Sequence, residues 1–138
     1  MRKVNIKNFK KTLSKFSTGV TVVCVKSNGF IHGKTVNSFI SLSLDPPMVL
    51  FSLGNYSSSI SKFTKTKYLS INILSSKQKR TSENFASSSP KLNNIKFIHG
   101  KNKTVILPNC IANLECKLID KIKKGDHIIF ICKILELQ

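Results

Sequence analysis

Carboxylates are scarce in this chain: Asp and Glu together make up 6 of 138 residues, against 23 Lys and Arg, for a formal net charge of +17 with His neutral. So small a supply leaves little material for paired general acid and base work, and an enzyme of this composition is expected to rely on a bound cofactor. Arginine is nearly missing too, with Arg2 and Arg80 the only two. The positive charge is therefore lysine scattered along the chain, with no guanidinium strip to fork onto phosphates or base edges. Tryptophan is absent, and 9 Phe and 2 Tyr are the whole aromatic set, which supplies no obvious stacking platform for single strands. Nucleic acid is thus a poor expectation as a partner. Dispersed solubilising lysine, or a compositional bias shared with the abundant Asn and Ile, explains the excess, with a positive field that recruits anionic ligands as the alternative.

Other absences narrow the class further. No apolar run approaches the roughly 20 residues that span a bilayer, so no membrane partner is expected. The basic start Met1 to Lys7 is followed by no apolar h-region, and a cytoplasmic location is expected. The cysteines, Cys24, Cys110, Cys116 and Cys132, form no CxxC pair and find no well-placed histidines, so free thiols and no metal site are expected. What remains is an ordinary globular balance, 41% hydrophobic and 21% charged, expected to form a single domain over residues 1–138 with its own core.

Periodicity divides the chain mainly into strands. Residues 6 to 17 place Phe9, Leu13 and Phe16 at helical spacing between lysines, which predicts an amphipathic helix packing one face on the body. Residues 19 to 25 are continuous and β-branched, a buried strand. Ser27-Asn28-Gly29 then turns the chain into a hairpin partner over 31 to 36. From 38 to 44 the pattern alternates, with Phe39, Ser41 and Ser43 on one face and Ile40, Leu42 and Leu44 on the other. Asp45-Pro46-Pro47 stops that strand, 48 to 53 resumes, and Gly54-Asn55-Tyr56 turns out of it. Hydroxyls of Ser57 to Ser59 are placed to cap a short helix, and 68 to 74 is a further strand. Ser75 and Gln78 fit a capping box opening a helix over 77 to 86. A polar loop follows to about 104, and two strands, 112 to 120 and 127 to 137, flank a Lys-Lys-Gly-Asp turn. The sum, roughly seven strands and three short helices without long crossover helices, predicts a closed, mainly antiparallel barrel.

Three places carry chemistry. The run from Gly33 to Gly54 interleaves hydroxyl and amide side chains with strand formers, which suits a flat polar ligand such as a flavin. The same pattern also describes the outer face of an ordinary strand. Ser57-Ser58-Ser59 can hold a phosphate or simply cap a helix, with Lys34 and Lys62 as possible sources of charge. His127, at the start of a strand after a tight turn, can assist proton movement or pack against a nicotinamide, or be an ordinary core or surface histidine. His32 and His99 read as structural or solvated.

Taken in order, these pieces resemble one family. Phe9 through Gly19-Val20-Thr21-Val22-Val23, Gly33-x-Thr35-x-Asn37-Ser38-Phe39, Ser41-Leu42-Ser43-Leu44-Asp45-Pro46-Pro47, Leu50-Phe51-Ser52-Leu53, Ile71-Asn72-Ile73-Leu74, Gln78, Phe85-Ala86, Leu114-Glu115-Cys116 and Gly125-Asp126-His127 are similar to the flavin reductase-like, FMN-binding split-barrel proteins. The resemblance implies an antiparallel, Greek-key-like split β-barrel with a few short helices. It also implies an NAD(P)H:flavin oxidoreductase that moves hydride from nicotinamide C4 to flavin N5. By this resemblance Lys34, Thr35, Val36, Asn37 and Ser38 hold FMN or FAD, and Ser52 and Leu53 lie along its ring. Ser57, Ser58 and Ser59 receive the phosphate, Phe85 and Ala86 close the pocket near a subunit boundary, and His127 sits by the nicotinamide of NADH or NADPH. A homodimer and a partner monooxygenase are implied as well; a flavin-binding module without catalysis, or a basic nucleic-acid-binding barrel, are the alternatives. Family members commonly continue past the Gly-Asp-His strand, and with the sequence ending at Gln138 an altered barrel edge, or an altered part of the nicotinamide pocket, is expected. Residues 87 to 103 match the family poorly.

Overall fold

The computed structural model describes residues 4–138. Helix α1 (Ile6–Leu13) is capped by Asn5, whose Oδ1 accepts from the Asn8 amide at 2.9 Å, satisfying one of the free donors of the first turn. It is shorter than the predicted 6 to 17, because the chain closes at Ser14 to Phe16 in turn-like hydrogen bonds. The expectation that it packs on the body is corrected: none of its residues is buried, and Phe9 and Leu13 are 58% and 51% exposed. Amphipathic spacing shows that a face wants covering but not what covers it.

Seven strands form one antiparallel sheet in the order β2-β1-β5-β8-β9-β4-β3. These are β1 (Thr21–Ser27), β2 (Phe30–Val36), β3 (Ile40–Leu44), β4 (Pro47–Gly54), β5 (Tyr68–Ile73), β8 (Ala112–Lys124) and β9 (His127–Leu137). The β1–β2 hairpin turns through Asn28 and Gly29, both at positive φ (51° and 80°), as a two-residue turn matched to strand twist requires. Gly125, at φ 57°, serves the turn between β8 and β9.

The sheet wraps around its own apolar face. Val23 and Val25 of β1, Leu69 and Ile71 of β5, Phe51 of β4 and Phe130 of β9 meet in one buried cluster, with the Phe51 and Phe130 rings stacked 5.0 Å apart and 3° from parallel. The opposite face of β1 is covered as well: Val22 and Cys24 pack with Phe85, Val105 and Leu107. Burial on both faces explains why β1 reads as an uninterrupted β-branched run. Phe85 lies on α3 (Lys79–Ala86), which follows a 3-10 turn, Ser76–Gln78. The predicted capping box is present there, with Gln78 Oε1 accepting from the Ser75 amide at 2.9 Å.

The expectation of a plain polar loop after α3 is corrected. A short hairpin, β6 (Ile98–His99) with β7 (Val105–Ile106), forms inside it, and residues 104 to 107 are buried. Asn72 of β5 organises this segment. Its Oδ1 accepts from the Leu107 amide at 3.0 Å and from Asn113 Nδ2 at 2.8 Å, while its Nδ2 donates to the Val22 carbonyl at 2.9 Å. Ser70 Oγ donates to the Val105 carbonyl. Among the described residues no buried side-chain nitrogen or oxygen lacks a partner, as a buried polar network must achieve to be stable.

The face expected to be shared by Ile40, Leu42 and Leu44 is present, but the alternation over 38 to 44 is interrupted by a bulge. β3 begins at Ile40, its register with β4 shifts between Ser41 and Ser43, and Ile40, Leu42 and Leu44 all face outward, Leu44 at 92% exposure. β3 is an edge strand, where irregular pairing is common. At the other end β9 pairs along its length, and Gln138 exchanges two 2.9 Å backbone bonds with Asn113.

Candidate functional site

The two sheet edges, β2 and β3, are joined through residues 37 to 39, and there the barrel opens. Ser38 bridges the gap: its Oγ accepts from the Ser52 amide at 2.8 Å and donates to the Ser52 carbonyl at 3.1 Å. One hydroxyl thus replaces a strand pairing and fixes the distance between the end of β2 and the middle of β4. Thr35 is anchored from the other side, donating to the Ser82 carbonyl of α3 at 2.6 Å. Lys34 Nζ reaches the Ser87 carbonyl at 3.3 Å. Asn37, exposed, makes no side-chain hydrogen bond among the described residues, so its carboxamide is free to serve a ligand.

Above this junction lies a hollow of about 640 Å³, within the range of small-molecule sites. Lys34 to Ser38 form one wall and Ser52 to Gly54 another; Tyr56, Ser57, Ser58, Ala86, Ser88 and His127 complete it. No carboxylate lines it. Hydroxyl and amide groups mixed with Val36, Leu53 and Ala86 can hold a planar ring with one polar edge, and Lys34 beside the serines can hold an anionic tail. The residues present therefore fit a flavin phosphate.

His127 enters from the start of β9, in register with Gly54 of β4. Its Nδ1 lies 2.7 Å from Asp126 Oδ1, and Tyr56 meets the ring edge-on, 6.5 Å away at 87°. The hydrogen bond with His127, and then its charge, hold the Asp126 carboxyl below the ordinary carboxylate range. The imidazole is thereby oriented with Nε2 as the nitrogen left for a ligand. The Asn55 amide, donating to the Asp126 carbonyl at 2.9 Å, ties the two turns together.

Known proteins share this fold. The family model described as "Flavin reductase like domain" matches residues 13–138. The chain belongs to that family. An NADH-dependent FMN reductase, SmoA, of Agrobacterium fabrum is 33% identical over 131 residues, covering 95% of this chain and 75% of the relative. The reductase subunit HsaB of a flavin-dependent monooxygenase from Rhodococcus jostii is 29% identical, covering 98% and 70%. Among solved structures, flavin reductase PheA2 superposes with a TM-score of 0.91 at 32% identity, covering 98% of this chain and 88% of that one. The NADH:FAD oxidoreductase SgcE6 of Streptomyces globisporus, in complex with NAD and FAD fragments, gives 0.91 at 27% identity, covering 100% and 86%. The antiparallel split barrel is the family's fold.

Within this flavin reductase-like chain the predicted residues separate into three groups. Lys34, Thr35, Val36, Asn37, Ser38, Ser52, Leu53, Ser57, Ser58, Ala86 and His127 all line the one hollow. Ser59 does not; it lines a smaller neighbouring recess with His32 and Lys62. Nor does Ser59 cap α2 (Ile60–Thr64) as expected, for no side-chain cap bond forms and Ser57 Oγ stands 3.2 Å from Ser59 Oγ instead. Phe85 is wholly buried beneath β2, so the expectation that it closes the pocket is corrected. Its ring occupies the place of a missing Gly33 side chain, where an added Cβ would lie 2.5 Å from two ring carbons. Gly54, Tyr56 and Ser88 are lining residues that sequence reasoning passed over. The Gly54-Asn55-Tyr56 turn was the available signal: a side chain at 54 would meet the Tyr56 ring at 2.6 Å.

Proposed function

We propose that the chain is a flavin reductase that binds FMN or FAD in the hollow at the β2–β4 junction, accepts hydride from NADH or NADPH, and supplies reduced flavin to an acceptor. A flavin-dependent monooxygenase component is the expected consumer, as the name of the Rhodococcus relative suggests. The observation that carries the reading is the convergence of the residue 34–38 segment, Ser52, the Ser57–Ser58 turn and His127 on one cavity. Bound flavin supplies the hydride-accepting chemistry. The protein's residues bind and orient. Asn37 and the backbone of the 35–38 segment address the polar edge of the ring, and Val36 and Leu53 supply apolar contact. Lys34 and the Ser57 and Ser58 hydroxyls hold the phosphate. His127, steered by Asp126, stands where a nicotinamide would approach, and an NAD(P)H:flavin oxidoreductase of the EC 1.5.1 type is the reaction proposed. A site with a lysine and no carboxylate also favours the more negative, reduced form of the ligand.

A homodimer and a cytoplasmic setting complete the reading. The uncovered apolar stripe of α1, together with Ile40, Leu42 and Leu44 of β3, offers a second copy a face to cover. Four free thiols, three of them buried, suit a reducing compartment. The test is direct: purified protein is titrated with FMN and FAD, then mixed anaerobically with NADH and, separately, NADPH. Bleaching of the flavin absorbance by one nucleotide is expected. Flavin binding with no bleaching by either would leave a binding module without reductase activity.

A further inference from the structure

Gly54 stands directly opposite His127 across the β4–β9 ladder, and Tyr56 fills the space its missing side chain leaves. A Cβ at position 54 would lie 2.6 Å from two carbons of the Tyr56 ring and 2.9 Å from its hydroxyl oxygen, so the ring folds back over the end of β4. There it meets the His127 imidazole edge-on, with centroids 6.5 Å apart and planes at 87°, within the roughly 4.5–7 Å over which perpendicular rings attract. The backbone holds Tyr56 in this position. The Ser57 amide donates to the Gly54 carbonyl at 3.3 Å and closes the turn, and the Asn55 amide, donating to the Asp126 carbonyl at 2.9 Å, locks that turn to the one carrying His127. The Tyr56 side chain contributes little to the fold. The residue is 79% exposed, and its hydroxyl makes no hydrogen bond among the described residues. Both rings line the hollow. Asp126 alone is a weak hold on the imidazole, because a bond between two solvent-exposed neighbours is open to competition from water.

We propose that Tyr56 is a positioning residue for His127: its ring, seated over Gly54, is the second contact that keeps the imidazole in one orientation at the edge of the hollow. The inference rests on the reductase reading, in which His127 stands where a nicotinamide approaches. Catalysis tolerates little misplacement of a group beside the reacting atoms, so loss of the ring slows reduction without changing how the flavin is bound. The ring can be removed in two ways. Tyr56→Ala deletes it. Gly54→Ala keeps it and pushes it off the strand, because the atoms a new methyl would meet are the far end of an exposed side chain, and Gly54 is not at positive φ. Tyr56→Phe keeps the ring and drops only an unpartnered hydroxyl.

Two measurements test it, with the flavin and the nicotinamide nucleotide that the wild type accepts. In the proton NMR spectrum of the flavin-free protein, the His127 ring resonances are assigned by their loss in His127→Ala. They should move in Tyr56→Ala and Gly54→Ala, as the neighbouring ring current is withdrawn, and stay in place in Tyr56→Phe. In anaerobic stopped flow at saturating nucleotide, Tyr56→Ala should slow flavin reduction about fivefold, the size of one edge-on aromatic pair, with flavin affinity within about twofold. Tyr56→Phe should be reduced at the wild-type rate. In the His127→Ala background Tyr56→Ala should slow reduction no further, since a residue acting through another then has nothing to act on. Further slowing in that background assigns the ring to the ligand or the fold directly and overturns the proposal. Unmoved His127 resonances, or a wild-type rate in Tyr56→Ala, also overturn it, and all three outcomes leave the reductase reading intact. A wild type whose flavin neither nucleotide bleaches overturns both.

Discussion

Two of the hydroxyls that make the 33–54 run look ligand-ready, those of Thr35 and Ser38, are spent on the protein itself. Thr35 has given its hydrogen to Ser82, and Ser38 has used both its hydrogen and a lone pair on Ser52, so each can only accept from a ligand. Asn37, between them, makes no side-chain hydrogen bond among the described residues and keeps a complete donor and acceptor set. Asn37→Ala is therefore expected to weaken flavin binding about tenfold, the cost of roughly one well-placed hydrogen bond in a shielded site, with thermal stability unchanged. Ser38→Ala should do the reverse first: the half-buried Ser52 amide and carbonyl lose their partner, and stability falls by about 1–2 kcal/mol in a denaturant titration. His127 has a third kind of role. If it positions the nicotinamide, His127→Ala keeps flavin affinity within about twofold and slows anaerobic reduction by NADH about tenfold or more in stopped flow. A variant reduced at the wild-type rate would remove the residue from the site.

At the scale of elements, Glu115 of β8 shows how the stretch between β6 and β8 is held. It is 1% exposed and accepts from the Lys101 and Asn102 amides at 3.1 and 3.0 Å, from Asn102 Nδ2 at 3.3 Å and from Thr104 Oγ1 at 2.6 Å. Burial alone would push its pKa up; the hydrogen bonds from Thr104, Asn102 and Lys101 outweigh it and hold the value below the ordinary one. A carboxyl with a depressed folded pKa contributes stability that is complete above its unfolded value, about 4.3, and is lost as pH falls through the folded value. Glu115→Gln is expected to cost about 2 kcal/mol at pH 7, since an amide nitrogen cannot accept the bonds one carboxylate oxygen holds. The gap between the two proteins should narrow below about pH 4, read as Tm against pH. Nothing in the local pattern around Leu114-Glu115-Cys116 announces this, because its partners lie 11 to 14 residues away in the chain. What the sequence makes legible is local: the β1–β2 turn, the capping box at Ser75 and Gln78, and both-sided burial of β1. The β6–β7 hairpin was not, for each strand is two residues long, too short for any period to register. Phe85 was misplaced for a related reason. Its order beside Ala86 is visible in the chain, but which of two adjacent helical residues faces the cavity depends on the packing of α3 over Gly33.

Over the whole molecule the largest unexplained feature is apolar surface. Ile6, Phe9, Leu13 and Phe16 stand clear of the barrel on and just after α1, and β3 turns Ile40, Leu42 and Leu44 outward on an unpaired edge. A helix of 8 residues has little stability alone in water, so its apolar face has to be covered for the element to persist. Residue charge argues for what covers it. With a net charge of +17 on each copy, long-range repulsion opposes self-association, and only a contact that buries a substantial apolar area, of the order of 800 Å² per copy, overcomes it. A homodimer built on these faces is therefore expected to tighten with added salt, which screens the repulsion and leaves apolar burial intact. Light scattering on the eluting peak should report twice 15.4 kDa at micromolar concentration. The double change Phe9→Ser with Leu13→Asp should bring the mass to that of one chain and leave the far-ultraviolet signature of the barrel strands in place. A wild-type protein that runs as one chain at both low and high salt would remove the dimer and leave α1 without a partner.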